Sequence, residues 1–257
     1  MTNRKTEILH HLYTFRFLSR KQIQILLHHK HFNRVIVWLN EMTDSGLLRK
    51  YYNPQKVTEP AIYSLGLKGR NYLKNHGNDS INPKVLDRVW REPKLSIEFR
   101  ERCMLIADIY LSLKEQCDSN KATLHFYTKT QLKEMEYLII PHPDAYIAIE
   151  ESEGHINRYF LDIFDAMPPR MLLRKRTKQY LEYFEAETWQ AQTDKPFPKI
   201  IFISPDQKSY NYLQAFIKRC LERAEEPTFY LGLKSTLSVN GLNSTTLTRV
   251  LSFQDTE

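Results

Sequence analysis

The chain has 257 residues, of which 42% are hydrophobic and 26% charged. This composition fits one or two folded domains and argues against extended disorder. Mean hydropathy is −0.52, no apolar run reaches the roughly 18 residues of a membrane helix, and Glu7, His10, His11 and Arg16 break up any signal-peptide core. No membrane partner is expected, and the expected compartment is the cytoplasm. The net charge of +7 is uneven: residues 1–76 hold 13 basic and 4 acidic side chains, and residues 77–257 hold 24 and 26. A polyanion partner is therefore expected for the first third, against the alternative of a solvated basic face. Cys103, Cys117 and Cys220 are too few and too far apart for a disulfide framework, and no C-x-x-C supports zinc. They are expected to be reduced and partly buried.

In chain order, residues 4–15 place Ile8, Leu9, Leu12 and Phe15 on one helical stripe. Ser19-Arg-Lys-Gln22 has capping-box form and predicts a second helix to about His28 that buries Ile23, Leu26 and Leu27. A basic turn, His28-His29-Lys30-His31, leads into a third helix with Val35, Ile36, Leu39 and Met42 at helical spacing and Gly46 beyond its end. The histidines crowd one turn too closely for a closed metal site. Residues 47–52 and 61–65 read as paired strands around a basic tip, Asn53-Pro54-Gln55-Lys56, and residues 67–75 as a closing helix.

Three helices followed by a hairpin predict a winged helix-turn-helix over 1–76, whose third helix enters the major groove. Asn33, Arg34 and Val37 are the candidate base contacts, since Arg suits guanine O6/N7 and Asn suits adenine N6/N7. Lys30, Lys50 and Lys56 are candidate phosphate or minor-groove contacts, and Trp38 is expected in the core. Double-stranded DNA is the expected partner, and no cofactor is required for that binding. A winged helix used as a protein-interaction module is the alternative.

Residues 77–93 have the Gly, Asn, Ser and Pro content of a linker, with Val89 and Trp90 expected to dock on a domain. The second domain is expected over 94–257. It opens on a long helix, Lys94–Cys117, with Leu95, Phe99, Cys103, Ile106, Ile109, Tyr110 and Leu113 on its apolar face. Strand patterns follow at 124–127, 137–140, 146–149 and 159–164, then a basic helix over 170–187. Lys199–Ile203 reads as a strand covered on both faces, followed by a helix over 207–223 and a strand at 229–233. The order predicts an α/β domain with a mixed sheet.

Two groups of residues carry a family resemblance. The first is Asp44-Ser45-Gly46-Leu47-Leu48-Arg49 with Tyr63-Ser64-Leu65-x-x-x-Gly69. The second is Pro143-Asp144-Ala145-Tyr146, then Phe160-Leu-Asp162-Ile-Phe164-Asp165, then Lys178-Gln-Tyr180-Leu-Glu-Tyr183, then Phe197-Pro-Lys199-Ile-Ile-Phe-Ile203. Together they resemble the replication-relaxation proteins of bacterial plasmids and other mobile elements. The resemblance implies DNA binding in plasmid replication, relaxation or mobilisation, with a replication initiator, a relaxase or a second copy as protein partner.

The second group also resembles the restriction-endonuclease-like fold of PD-(D/E)-x-K nucleases. That resemblance implies Asp144 and Asp162 as Mg²⁺ ligands and a lysine that assists the attacking water. Phe164 stands where the motif has its lysine, so a non-catalytic copy of the fold is the expectation. A displaced catalytic lysine would be Lys178 or Lys175, and Glu98 or Glu101 would add a carboxylate. A Mg²⁺-dependent endonuclease is one rival function, and a winged-helix transcriptional regulator another. Taken singly, Asp144 also suits a turn after Pro143, and Asp162 and Asp165 suit a strand end or helix cap. The cations of the 170–178 helix read as a solvated face, with Arg174 and Lys178 able to meet a phosphate backbone or Glu182.

Overall fold

A computed structural model describes residues 2–52, 60–77, 81–221, 226–243 and 245–251. The expected wing tip at 53–56, with Lys56, lies outside the described residues, as do 78–80 of the expected linker. The chain divides into two compact units, Met1–Leu111 and Ser112–Glu257. No helix among the described residues is long and apolar enough to cross a membrane.

The first unit runs α1 (Asn3–Phe15), β1 (Leu18–Ser19), α2 (Arg20–Leu26), α3 (Phe32–Asp44), β2 (Leu48–Tyr51), β3 (Ile62–Leu65) and α4 (Leu67–His76). The apolar stripe of α1 buries Ile8, Leu9, Leu12 and Phe15. The capping box of α2 forms as its sequence dictates. Gln22 N–H donates to Ser19 Oγ at 3.3 Å, and Ser19 N–H donates to Gln22 Oε1 at 2.8 Å. At the end of α3, Leu47 N–H donates to Met42 O and Gly46 N–H to Thr43 O, both at 2.9 Å. This is a Schellman closure, and Gly46 takes the left-handed φ of +75° that it requires. The antiparallel sheet has order β1-β3-β2. The two-residue β1 was not legible in the sequence, because it is too short to show a period. Gly69 lets α4 lie on the start of β2: a Cβ there would stand 2.2 Å from Leu47 O.

Residues beyond α4 are helical rather than loop-like. They form α5 (Pro83–Leu86), a 3₁₀ helix (Asp87–Lys94) and the start of α6 (Ile97–Ser119). Val85, Leu86 and Val89 are buried, so the compact unit continues well past residue 76. Trp90 departs from its expected docking and is 51% exposed, with Arg91 over its ring. Within this unit Gln22 Nε2 donates to Met104 O and Asp108 Oδ1, tying α2 to α6. Buried Glu92 accepts from Arg16 Nε at 3.2 Å and lies 3.9 Å from Arg88 Nε.

The second unit runs β4 (Thr123–Thr128), α7 (Lys129–Leu132), β5 (Ala145–Glu150), β6 (Ile156–Ile163), α8 (Arg170–Glu185), α9 (Thr188–Thr193), β7 (Lys199–Ser204), α10 (Gln207–Cys220), β8 (Phe229–Leu233), α11 (Lys234–Asn240) and β9 (Thr248–Val250). Its six strands form one mixed sheet in chain order, parallel across β6-β7-β8 and antiparallel elsewhere. One face carries the aromatic core, with Tyr146, Phe160, Phe202 and Phe229 buried together with Tyr180, Tyr183 and Trp189.

The strand expected at 137–140 does not form. Leu138 and Ile139 are buried within turns, and Pro141 and Pro143 withhold the N–H donors that a continuing ladder would use. Cys103 and Cys117 are buried and Cys220 is half-buried, and none of the three is in a disulfide.

Candidate nucleic-acid interface and carboxylate centre

In the first unit, α3 buries Val35, Leu39 and Met42. The opposite side of its N-terminal half presents Asn33, Arg34 and Val37 to solvent, and Lys30 is exposed in the turn before it. The three helical residues face outward because helical periodicity commits only one stripe to the core. Arg34 lies 5.7 Å from the Trp38 ring centroid, and the His29 ring stacks edge-on against the same indole at 5.0 Å. Trp38 is thus half-buried beneath the candidate contacts. Lys50 is exposed on β2, its ammonium 6.0 Å from the Tyr52 ring centroid. Phe32 was not anticipated in this group: it is exposed at the start of α3 with the Arg20 guanidinium stacked on it at 4.2 Å.

In the second unit, β5 and β6 bring the two carboxylates together. Ala145 pairs with Leu161, and one residue further along the same register Asp144 stands opposite Asp162. Asp144 N–H donates to Leu161 O at 2.8 Å. Ile163 N–H donates to Asp144 Oδ2 at 2.9 Å, and Lys129 Nζ lies 3.6 Å from Asp144 Oδ1. Both carboxylates are buried.

Asp162 is held by α8. Arg176 Nε donates to its Oδ2 at 2.8 Å and Arg176 Nη2 to its Oδ1 at 3.2 Å, a fork-on-carboxylate pair. The Tyr180 hydroxyl donates to Oδ2 at 2.7 Å. Arg176 also donates to Pro141 O at 2.7 Å and to the Tyr180 oxygen at 3.1 Å. Burial by itself acts to lower the Arg176 pKa, but the Asp162 charge outweighs it and the net shift is upward. Burial, then the Asp162 charge, drives the Tyr180 hydroxyl well above the usual tyrosine range, so it remains a donor.

The lysines expected as displaced catalysts are elsewhere. Lys175 and Lys178 are exposed, the latter about 200° around α8 from Arg176. Phe164 is buried against Phe202 at 5.3 Å. Glu98 and Glu101 belong to the first unit. Among the described residues no group of three or more His, Cys, Asp or Glu side chains is arranged to hold a metal ion.

The donor set does not fit a divalent cation as it stands. Both Asp162 oxygens are engaged by a fixed guanidinium, and one Asp144 oxygen is engaged by a backbone N–H. Chemically the centre is a neutralised cluster that pins α8 and the 141–144 turn to the ends of two strands. Sequence reasoning gave Arg176, Tyr180 and Lys129 no role at this centre. Tyr180 stands in the motif that carries the family resemblance, and its i, i+4 spacing from Arg176 sets the two on one helix face.

No curated protein matches the sequence at a significant level. A family model described as replication-relaxation matches residues 9–200, covering both the α3 surface and the carboxylate centre. The chain belongs to the replication-relaxation family.

Proposed function

We propose that this is a cytoplasmic DNA-binding protein acting in replication, relaxation or mobilisation of a plasmid or related mobile element, with the second unit binding rather than cutting. Family membership supports the role in replication or relaxation. In this reading the first unit is a winged helix that lays α3 in the major groove of double-stranded DNA. The observation that carries it is the outward stripe Asn33, Arg34 and Val37, opposite the buried Val35, Leu39 and Met42, on the basic third of the chain. Lys30 and Lys50 supply phosphate contacts. The second unit is a restriction-endonuclease-like sheet whose Asp162 is occupied by Arg176. Its protein partner in this role is a replication initiator, a relaxase or a second copy of the chain.

The test is binding of the full chain to duplex DNA across a salt series. The log–log slope should be about −0.9 per phosphate contacted. Arg34→Ala should cost about 1–3 kcal/mol on a preferred site and less on random DNA. Salt-independent binding, or none by folded protein, would overturn the reading in favour of a protein-interaction module.

The pairing of Asp144 with Asp162 at adjacent strand ends favours a second reading, a Mg²⁺-dependent endonuclease. Cleavage through that pair requires a cation to displace Arg176, and Phe164 offers no charge to the transition state. A plasmid nicking assay with Mg²⁺ and Mn²⁺ separates the readings. No nicking is expected; metal-dependent nicking lost in both Asp144→Ala and Asp162→Ala would establish the enzyme.

A further inference from the structure

The solvent face of α8 is unlike an ordinary solvated helix surface. Met171 is 77% exposed near its start, and Ile140, 75% exposed, flanks the same helix, its carbonyl 3.5 Å from Gln179 Nε2. Leu172 and Met167 extend the apolar surface at the helix start. Along this helix runs a groove lined by Met171, Arg174, Lys175, Lys178, Gln179 and Glu182. Arg174, Lys175 and Lys178 make no ion pair among the described residues.

The cations do not serve the helix itself. Arg170, Arg174 and Lys175 occupy its N-terminal half, no acidic residue lies in its first turn, and Pro169 provides no side-chain cap. Only Arg170 lies in the first turn, where positive charge opposes the helix dipole; Arg174 and Lys175 lie beyond it. Large exposed apolar side chains rimmed by charge mark a recognition surface. Methionines in particular repack around amphipathic helices. A phosphodiester backbone would gain nothing from the exposed Met171 and Ile140 side chains. A peptide bearing both apolar and acidic side chains satisfies the methionines and the cations together.

We infer that the α8 face of the second unit is a docking site for an acidic amphipathic segment of a partner protein, its apolar residues on Met171 and Ile140 and its carboxylates toward Arg174, Lys175 and Lys178. This inference stands apart from DNA binding by the first unit and does not depend on it.

The test uses the full chain and a labelled synthetic helix of about 18 residues, leucines on one stripe flanked by glutamates. Anisotropy is read at about 0.15 M salt. Binding is expected, and it should weaken about tenfold or more in Met171→Glu and in Lys175→Glu/Lys178→Glu. Lys208→Glu, an exposed change on α10, should leave it unchanged. The altered side chains are exposed, so unfolding temperatures should match the wild type. Met171→Gln serves as a second variant should Met171→Glu fail to fold. The inference is overturned if a lysine-for-glutamate peptide binds as tightly, or if the α8 variants leave affinity unchanged. It is also overturned if the peptide does not bind while the same variants abolish binding of random duplex DNA or of anionic phosphatidylglycerol vesicles.

Discussion

Replacing Arg176 by Met tests whether the carboxylate centre is a structural anchor. The guanidinium makes two buried bonds to Asp162 and one to the Tyr180 oxygen, and half-buried bonds to Pro141 O and, at 3.5 Å, to Gln179 Oε1. After the substitution Asp162 keeps only the Tyr180 hydroxyl, at 2.7 Å. Breaking one side of a buried ion pair costs about 3–5 kcal/mol, because the remaining charge is left uncompensated. At about 2–4 °C per kcal/mol for a domain of this size, the second unit should melt about 6–20 °C lower. Asp162→Asn should cost a similar amount by stranding Arg176. The double variant should cost about as much as either single change, giving a coupling energy of about 2 kcal/mol or more. Urea unfolding followed by circular dichroism, with calorimetry to separate the two units, measures each corner of the cycle. Additive single effects, or an Arg176→Met protein within about 1 kcal/mol of wild type, would refute the anchor. So would metal-dependent nicking newly gained by Arg176→Met, since it would mean that the guanidinium merely covers a functional cation site.

Three further outcomes are expected. Gly69→Ala should destabilise the first unit by about 1–3 kcal/mol in thermal melts, since the new Cβ would meet Leu47 O at 2.2 Å; an unchanged melting temperature would mean that α4 is not seated on β2. Ser19→Ala should cost about 1 kcal/mol by removing the cap of α2, read by denaturant unfolding. Glu92 is 2% exposed and its pKa is raised, by burial first and against the pull of Arg16 and Arg88. A raised carboxylate pKa contributes stability below its unfolded value that is lost as pH rises through the folded value. Glu92→Gln should therefore gain stability relative to wild type as pH rises above about 4.3. The opposite trend in paired melts would show that attraction to the arginines outweighs burial.

Local chemistry was legible wherever neighbours in sequence are neighbours in space. Ser19 and Gln22 specify the start of α2, and Gly46 specifies the end of α3, because a cap is closed within one turn of chain. The exposed stripe of α3 follows from helical period alone. The strands that alternate or run apolar, β5 to β8, were legible for the same reason, while the pairing of Asp144 with Asp162 was expected only from the resemblance to PD-(D/E)-x-K nucleases, and the register of β5 on β6 places them opposite each other.

The rest depended on contacts distant in sequence. Leu138 and Ile139 look like strand residues, yet they join a core built by the sheet, α8, α9 and α10, and two prolines deny them a ladder. The five cations between residues 170 and 178 are equivalent as a charge run. Tertiary structure decided that Arg176 alone turns inward to Asp162, while Arg174, Lys175 and Lys178 stay outside. A charge is stable in the interior only where its counter-charge and acceptors already converge. Tyr180 is a turn away on the same helix, but Asp162 on β6 and the Pro141 carbonyl come from distant stretches of chain, so no local pattern could announce the whole centre.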